Sequence, residues 1–225
     1  KGPLTALLLL ASFLKQHEKA FKGTLLVGAV ADEERGSTFG LTYLLDAGLV
    51  QADHAIVPDT GVSIYKVSCG EKGLLHLDVI LQGVQAHASQ PEKGLNAVYA
   101  ADAFIREVRA LHGETIGYCA TGAPPPFSPT TLNVTKISAG SAYNIVPGQC
   151  TLGVDIRFVP GETVAQWTDR LGAIALRLRD QGLCTGYEVV VQDAQDPFVI
   201  SEDNRVIQAI DASVAALTGQ RCARI

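Results

Sequence analysis

At 225 residues and 47% hydrophobic content, the chain has enough apolar material for one large core or two smaller ones, which excludes a disordered or fibrous protein. Its formal net charge is −5, with Lys and Arg scattered along the chain, which argues against nucleic acid or an anionic membrane surface as partner. The five cysteines, Cys69, Cys119, Cys150, Cys184 and Cys222, are odd in number and never at knuckle spacing, so reduced thiols of a cytoplasmic protein are expected, and a cysteine-rich zinc site is not.

In chain order, the apolar run Leu4–Leu14 is too short for a bilayer and is followed by Lys15, Gln16 and His17 without a cleavage pattern. It predicts a buried helix over about Pro3–Gln16. The chain holds no Met, even at position 1, and is expected to be a piece of a longer protein. After Gly23 the β-branched run Thr24–Ala31 predicts a strand covered on both faces, ending at three consecutive acids, Asp32, Glu33 and Glu34. Ligands of open α/β sheets gather at such strand ends, although a solvated loop capped at Ser37 or Thr38 fits charge and position equally well. A helix over about Phe39–Ala47 stops at Gly48, and a short strand His54–Val57 runs into Pro58, Asp59, Thr60 and Gly61. This βαβ order predicts a parallel sheet with two acidic loops facing each other at one edge.

From about Gly70 the pattern changes. Leu75, Leu77, Val79 and Leu81 alternate with His76, Asp78, Ile80 and Gln82, the period of a strand with one buried face. A helix over about Leu95–Leu111 carries the stripe Ala97, Ala101, Phe104, Val108 and Leu111, and the Pro-rich Gly113–Ser128 reads as a loop. Strands over Thr131–Ile137 and Cys150–Phe158, a helix over Thr163–Gln181 and a strand over Tyr187–Gln192 complete a β-α-β-β-α-β unit: a four-stranded antiparallel sheet with two helices on one face. A last helix, about Glu202–Leu217, is expected to return to the first domain.

Hydrolysis of an amide needs an activated water, a sink for oxyanion charge and a proton for the leaving nitrogen. A metal held by carboxylates and a nearby Glu meets these needs, and adjacent Glu33 and Glu34, with Asp59, could divide the roles. Four stretches go further: ADEERGS at Ala31–Ser37, PDTG at Pro58–Gly61, GVQAHASQPEKGLNAV at Gly83–Val98, and the run from Leu132 to Glu162. In this order they resemble the co-catalytic zinc amidohydrolases, the family of acetylornithine deacetylase, succinyl-diaminopimelate desuccinylase, aminoacylase-1 and the carboxypeptidase G type.

The resemblance implies an α/β fold: a parallel-sheet zinc-hydrolase catalytic domain, present in part at 1–69 and 195–225, with a dimerisation or lid domain inserted at 70–194. It implies two zinc ions per complete site, with cobalt or manganese as alternatives, a small N-acyl amino acid or short peptide as substrate, and a homodimer formed through the lid. By position, Glu33 resembles the general acid/base, Glu34 and Asp59 metal ligands, His87 an oxyanion-stabilising residue that reaches the partner's site, and Asn144 and Arg157 substrate-binding residues. The family's upstream His-x-Asp, bridging Asp and late His are not in this sequence, so Glu34 and Asp59 are expected to be half of a metal site. Without the motif, His87 is a surface histidine, Asn144 a turn residue and Arg157 a partner for Asp155. His17, His54, His76 and His112 match no motif and read as structural or solvated, and Asp32 reads as a residue that orients its loop. Deacylation of N-acyl amino acids is the leading expectation, with a carboxypeptidase or dipeptidase of the same family, or a catalytically incomplete dimeric scaffold, as the alternatives.

Overall fold

The computed structural model describes residues 2–20, 22–58, 63–111, 127–201 and 203–224, apart from the side chains at 18 and 35. Asp59 and most of the expected loop Gly113–Ser128 lie outside the described residues. The chain divides into two units, Lys1–Tyr65 with Ala209–Arg221 and Lys66–Gln208 with Cys222–Ile225.

The first unit opens with helix α1, Gly2–Gln16. Its run of Leu and Ala has high helix propensity, and His17 closes it, with Nδ1 2.9 Å from the Phe13 carbonyl and its ring stacked on Phe13. The expected burial is not found: Leu9 is 68% and Phe13 57% exposed, because no layer of described residues covers the helix. The expected strands Thr24–Ala31 and His54–Val57 are likewise not formed as ladders, and Leu26 and Val57 stay exposed. An apolar run becomes a strand only where a neighbour satisfies its N–H and C=O groups. A short 3₁₀ turn at Glu33–Arg35 and helix α2, Leu41–Asp46, follow.

The second unit begins with β1, Lys66–Val67, β2, Gly70–Glu71, and β3, Gly73–Gln82. Helix α3, Ala97–Leu111, strands β4, Thr131–Ala139, and β5, Gln149–Phe158, helix α4, Val164–Asp180, and β6, Gly186–Gln195, follow. The chain ends with β7, Phe198–Val199, α5, Arg205–Thr218, and β8, Ala223–Arg224. β3, β4, β5 and β6 form one sheet in the order β4-β5-β3-β6, antiparallel throughout, so the expected β-α-β-β-α-β unit is present. β1 pairs with β8 in parallel and β2 with β7 antiparallel.

The sheet has one dry face. Leu75, Leu77, Val79 and Leu81 of β3 and Leu152, Val154, Ile156 and Phe158 of β5 point into the core, against Ala101 and Phe104 of α3 and Trp167, Leu171 and Ile174 of α4. Residues between them, His76 and Asp78 on β3 and Asp155 and Arg157 on β5, occupy the other face by the period of the strand. Helix α4 starts at a capping box: the Gln166 amide donates to Thr163 Oγ1, and the Thr163 amide donates to Gln166 Oε1.

Glu162, just before this cap, is 4% exposed. Its Oε2 accepts from Trp167 Nε1 at 3.0 Å and Thr130 Oγ1 at 2.6 Å, while Thr130 Oγ1 accepts from the Val159 amide. Lys72 donates to the Pro129 carbonyl; burial lowers its pKa, and the charge of Glu162 offsets part of that. Glu162→Ala would strand a buried indole N–H and a hydroxyl, so it is expected to destabilise the chain by about 2–4 kcal/mol, while Glu162→Gln, which keeps an acceptor, costs about half that. Denaturant unfolding of the two variants checks this.

Candidate active site

The acidic loop is held by its own backbone. Asp32 adopts a left-handed conformation at φ 69°, a region that short polar side chains tolerate, and Gly36 does the same at φ 86°. The Ser37 amide donates to the Asp32 carbonyl at 2.8 Å, the Gly36 amide to the Glu33 carbonyl at 3.0 Å, and the Phe39 amide to Asp32 Oδ2 at 2.9 Å. Asp32 therefore spends its carboxylate on the loop, as the sequence led us to expect. The next two carboxylates, Glu33 and Glu34, remain exposed. Two adjacent acids on one turn of 3₁₀ helix point in different directions, a geometry suited to two different tasks.

Behind this loop Gly40 is buried, and a Cβ there would sit 2.0 Å from the Ala31 carbonyl oxygen. Gly40→Ala must therefore push apart the two ends of the loop. It is expected to cost about 1–3 kcal/mol; thermal melting of the variant would show it.

His87 lies in the connection after β3, at one end of the sheet. The Ser89 amide donates to its Nδ1 at 3.2 Å, with Ser89 Oγ 2.8 Å from the same nitrogen. A backbone N–H only donates, so Nδ1 is an acceptor and the neutral ring carries its proton on Nε2. The exposed ring thus offers an N–H donor to a developing negative charge. The backbone bonds Ala88 N–H to Asn144 O and Val146 N–H to Ala86 O, both 2.9 Å, join this loop to the β4–β5 connection. His87 and Asn144 are therefore brought together. Gly83 and Gly94 let the two arms of the His87 loop itself approach closely: a Cβ on Gly83 would meet the Leu95 carbonyl oxygen at 2.0 Å, and one on Gly94 the Ala86 methyl at 2.9 Å.

Arg157 is elsewhere. It pairs with Leu74 at the start of β3, whereas Gln149, at the His87 end of β5, pairs with Gln82. The strand between them is about 25 Å long. One copy of the chain does not bring His87 and Arg157 to one small substrate. Arg157 instead contacts Asp155, and Asp155 contacts His76. Burial works to raise the Asp155 pKa, but the hydrogen bonds and charges of Arg157 and His76 outweigh it and hold the carboxyl below its ordinary value. The sequence did not single out His76 or Ser89. Strand alternation puts His76 on the open face, but only the register, which pairs it with Asp155, shows what it meets.

Glu34 offers a hard oxygen donor of the kind a divalent metal takes. Among the described residues, however, no group of three or more His, Cys, Asp or Glu side chains is placed to hold a metal ion, so these residues alone do not fit a complete centre. No helix among the described residues is long and apolar enough to cross a membrane.

Comparison with known proteins gives the same frame. Residues 69–179 match the peptidase dimerisation domain. Acetylornithine deacetylase of Myxococcus xanthus is 34% identical over 167 residues, which cover 73% of this chain and 43% of that protein. Succinyl-diaminopimelate desuccinylase of Phenylobacterium zucineum is 27% identical over 224 residues, 93% of this chain and 56% of that protein. A tripeptidase from Staphylococcus aureus shares the fold, with a TM-score of 0.64 at 22% identity over 80% of this chain and 44% of that one. The chain spans about half the length of the curated relatives it matches. With a peptidase dimerisation domain at 69–179 and relatives of these names along its length, the chain belongs to the metallohydrolase family of acetylornithine deacetylase and succinyl-diaminopimelate desuccinylase.

Proposed function

We propose that the whole protein hydrolyses the amide bond of N-acyl amino acids, as an acetylornithine-deacetylase-like deacylase. The observation that carries this is the Asp32–Phe39 loop: one acid is folded inward to hold the backbone, which leaves Glu33 and Glu34 outward and free for chemistry. Glu33 takes the proton of the attacking water and returns it to the leaving nitrogen. Glu34 and Asp59 contribute carboxylates to a divalent metal, zinc by family resemblance, with cobalt or manganese as substitutes, and the remaining ligands come from outside these residues. His87 donates its Nε2 proton toward the oxyanion, and Asn144 and Arg157 bind the substrate.

The domains divide as 1–69 and 195–225, carrying the acids, and 70–194, a lid through which two copies form a homodimer. The opposite placement of His87 and Arg157 on one sheet supports this: if both serve one substrate, two copies contribute to the site, and by the family resemblance His87, with the adjacent Asn144, is the part that comes from the second copy.

The test is a panel of N-acetyl amino acids and dipeptides offered to the purified whole protein, together with metal analysis. Faster turnover of N-acetyl amino acids, with metal bound, is expected. Faster dipeptide cleavage would move the assignment to a peptidase, and a protein that neither binds metal nor turns over either class would be a scaffold.

A further inference from the structure

Arg157 does not stand alone on the open face of the sheet. Its Nε lies 3.3 Å from both oxygens of Asp155, and its Nη2 3.1 Å from Oδ2. Asp155 and Arg157 are two residues apart on β5 and so share a face, while the β3–β5 register sets His76 directly opposite Asp155. His76 Nε2 is 2.7 Å from the same Oδ2. A carboxylate accepts and does not donate, so this ring nitrogen carries the proton. On its other flank His76 faces Asp193 of β6. Exposure falls in the sense that positioning needs: Arg157 is 48% exposed and within reach of a ligand, while Asp155 behind it is 22% exposed.

A guanidinium presents its N–H groups in a fixed plane. Here the edge formed by Nε and Nη2 is occupied by Asp155, which leaves the end formed by Nη1 and Nη2. We infer that Asp155, itself anchored by His76, is a positioning residue that turns Arg157 so that it takes a substrate carboxylate end-on, through Nη1 and Nη2. The inference rests on the proposal that Arg157 binds the carboxylate of the substrate. Two effects oppose each other. The Asp155 charge repels an incoming carboxylate, but at a half-exposed site water screens that repulsion. A long side chain already fixed in its bound geometry loses no further freedom on binding. The second effect is taken to win, and its sign can be measured.

The test is steady-state kinetics of the whole metal-loaded protein on an N-acetyl amino acid and on its carboxamide analogue, with melting temperatures to confirm folding. Asp155→Asn is expected to raise KM for the carboxylate substrate about 10-fold with kcat within about twofold, and to leave KM for the carboxamide where it was. His76→Ala, a surface change, is expected to raise the same KM about threefold, and His76→Gln, which keeps an N–H donor, to restore it. Arg157→Ala is expected to abolish the preference for carboxylate over carboxamide, and Asp155→Asn is expected to add nothing in that background. A KM that falls or stays unmoved in Asp155→Asn, or an Asp155→Asn effect that persists in the Arg157→Ala background, overturns the inference while the role of Arg157 stands. If Arg157→Ala leaves the preference intact, the role of Arg157 itself fails and the inference fails with it.

Discussion

Glu33→Gln in the whole protein is expected to lower kcat for an N-acetyl amino acid about a thousandfold, with KM changed by no more than a few fold and the melting temperature unmoved. The substitution keeps the shape of the side chain and one acceptor oxygen, and removes the charged carboxylate that takes a proton from water. Folding is indifferent to it because the Glu33 side chain is exposed and the loop is held by other groups: the Glu33 carbonyl, which accepts from Gly36, and the Asp32 carboxylate, which accepts from Phe39. The neighbouring variant, Glu34→Gln, separates the two acids. It is expected to reduce bound metal as well as kcat, whereas Glu33→Gln leaves metal content intact. Wild-type turnover in Glu33→Gln would remove this residue from the mechanism. Loss of metal in Glu33→Gln and not in Glu34→Gln would exchange the two roles.

What could be read before the structure divides by whether neighbours are needed. The strand over Leu75–Gln82 and the helix stripe Ala97, Ala101, Phe104 and Val108 declare which face is apolar, and the sheet with its two helices follows because each face has only one way to leave water. Thr24–Ala31 has the composition of a strand, yet strand formation depends on ladder partners, which the run itself does not specify; its described residues have none. The same holds for Leu9 and Phe13, whose apolar character predicts burial but not the surface that would bury them. At the site, the family resemblance, read by position, picked out Glu33, Glu34, Asp59, His87, Asn144 and Arg157. It did not show that Asn144 lies beside His87 while Arg157 lies at the far end of the strand, nor that His76 meets Asp155, because register joins residues distant in sequence. Gly73 is a similar case: a Cβ there would meet the buried Phe158 ring at 2.3 Å, a demand that exists only once β3 and β5 are paired.

The proposal that His87 comes from the second copy can be tested by mixing two damaged copies. His87→Ala alone is expected to lower kcat about a hundredfold, the cost of one donor to an oxyanion. Ser89 holds Nδ1, so the lost group is the outward Nε2 proton, and neither the backbone bonds of the loop to Asn144 and Val146 nor the fold depends on it. If each site takes Glu33 from one copy and His87 from the other, a dimer of one Glu33→Gln copy and one His87→Ala copy holds one site with both residues mutated and one with both intact. Random reassociation makes half of the dimers mixed, so combining the two inactive proteins should restore about a quarter of wild-type turnover. If His87 serves its own copy, every site in the mixture carries one mutation and nothing is restored. Unfolding and refolding the two variants together, with each refolded separately as control, decides between these outcomes; a mixture that stays inactive while mixed dimers are shown to form would return His87 to its own subunit and end the shared-site proposal.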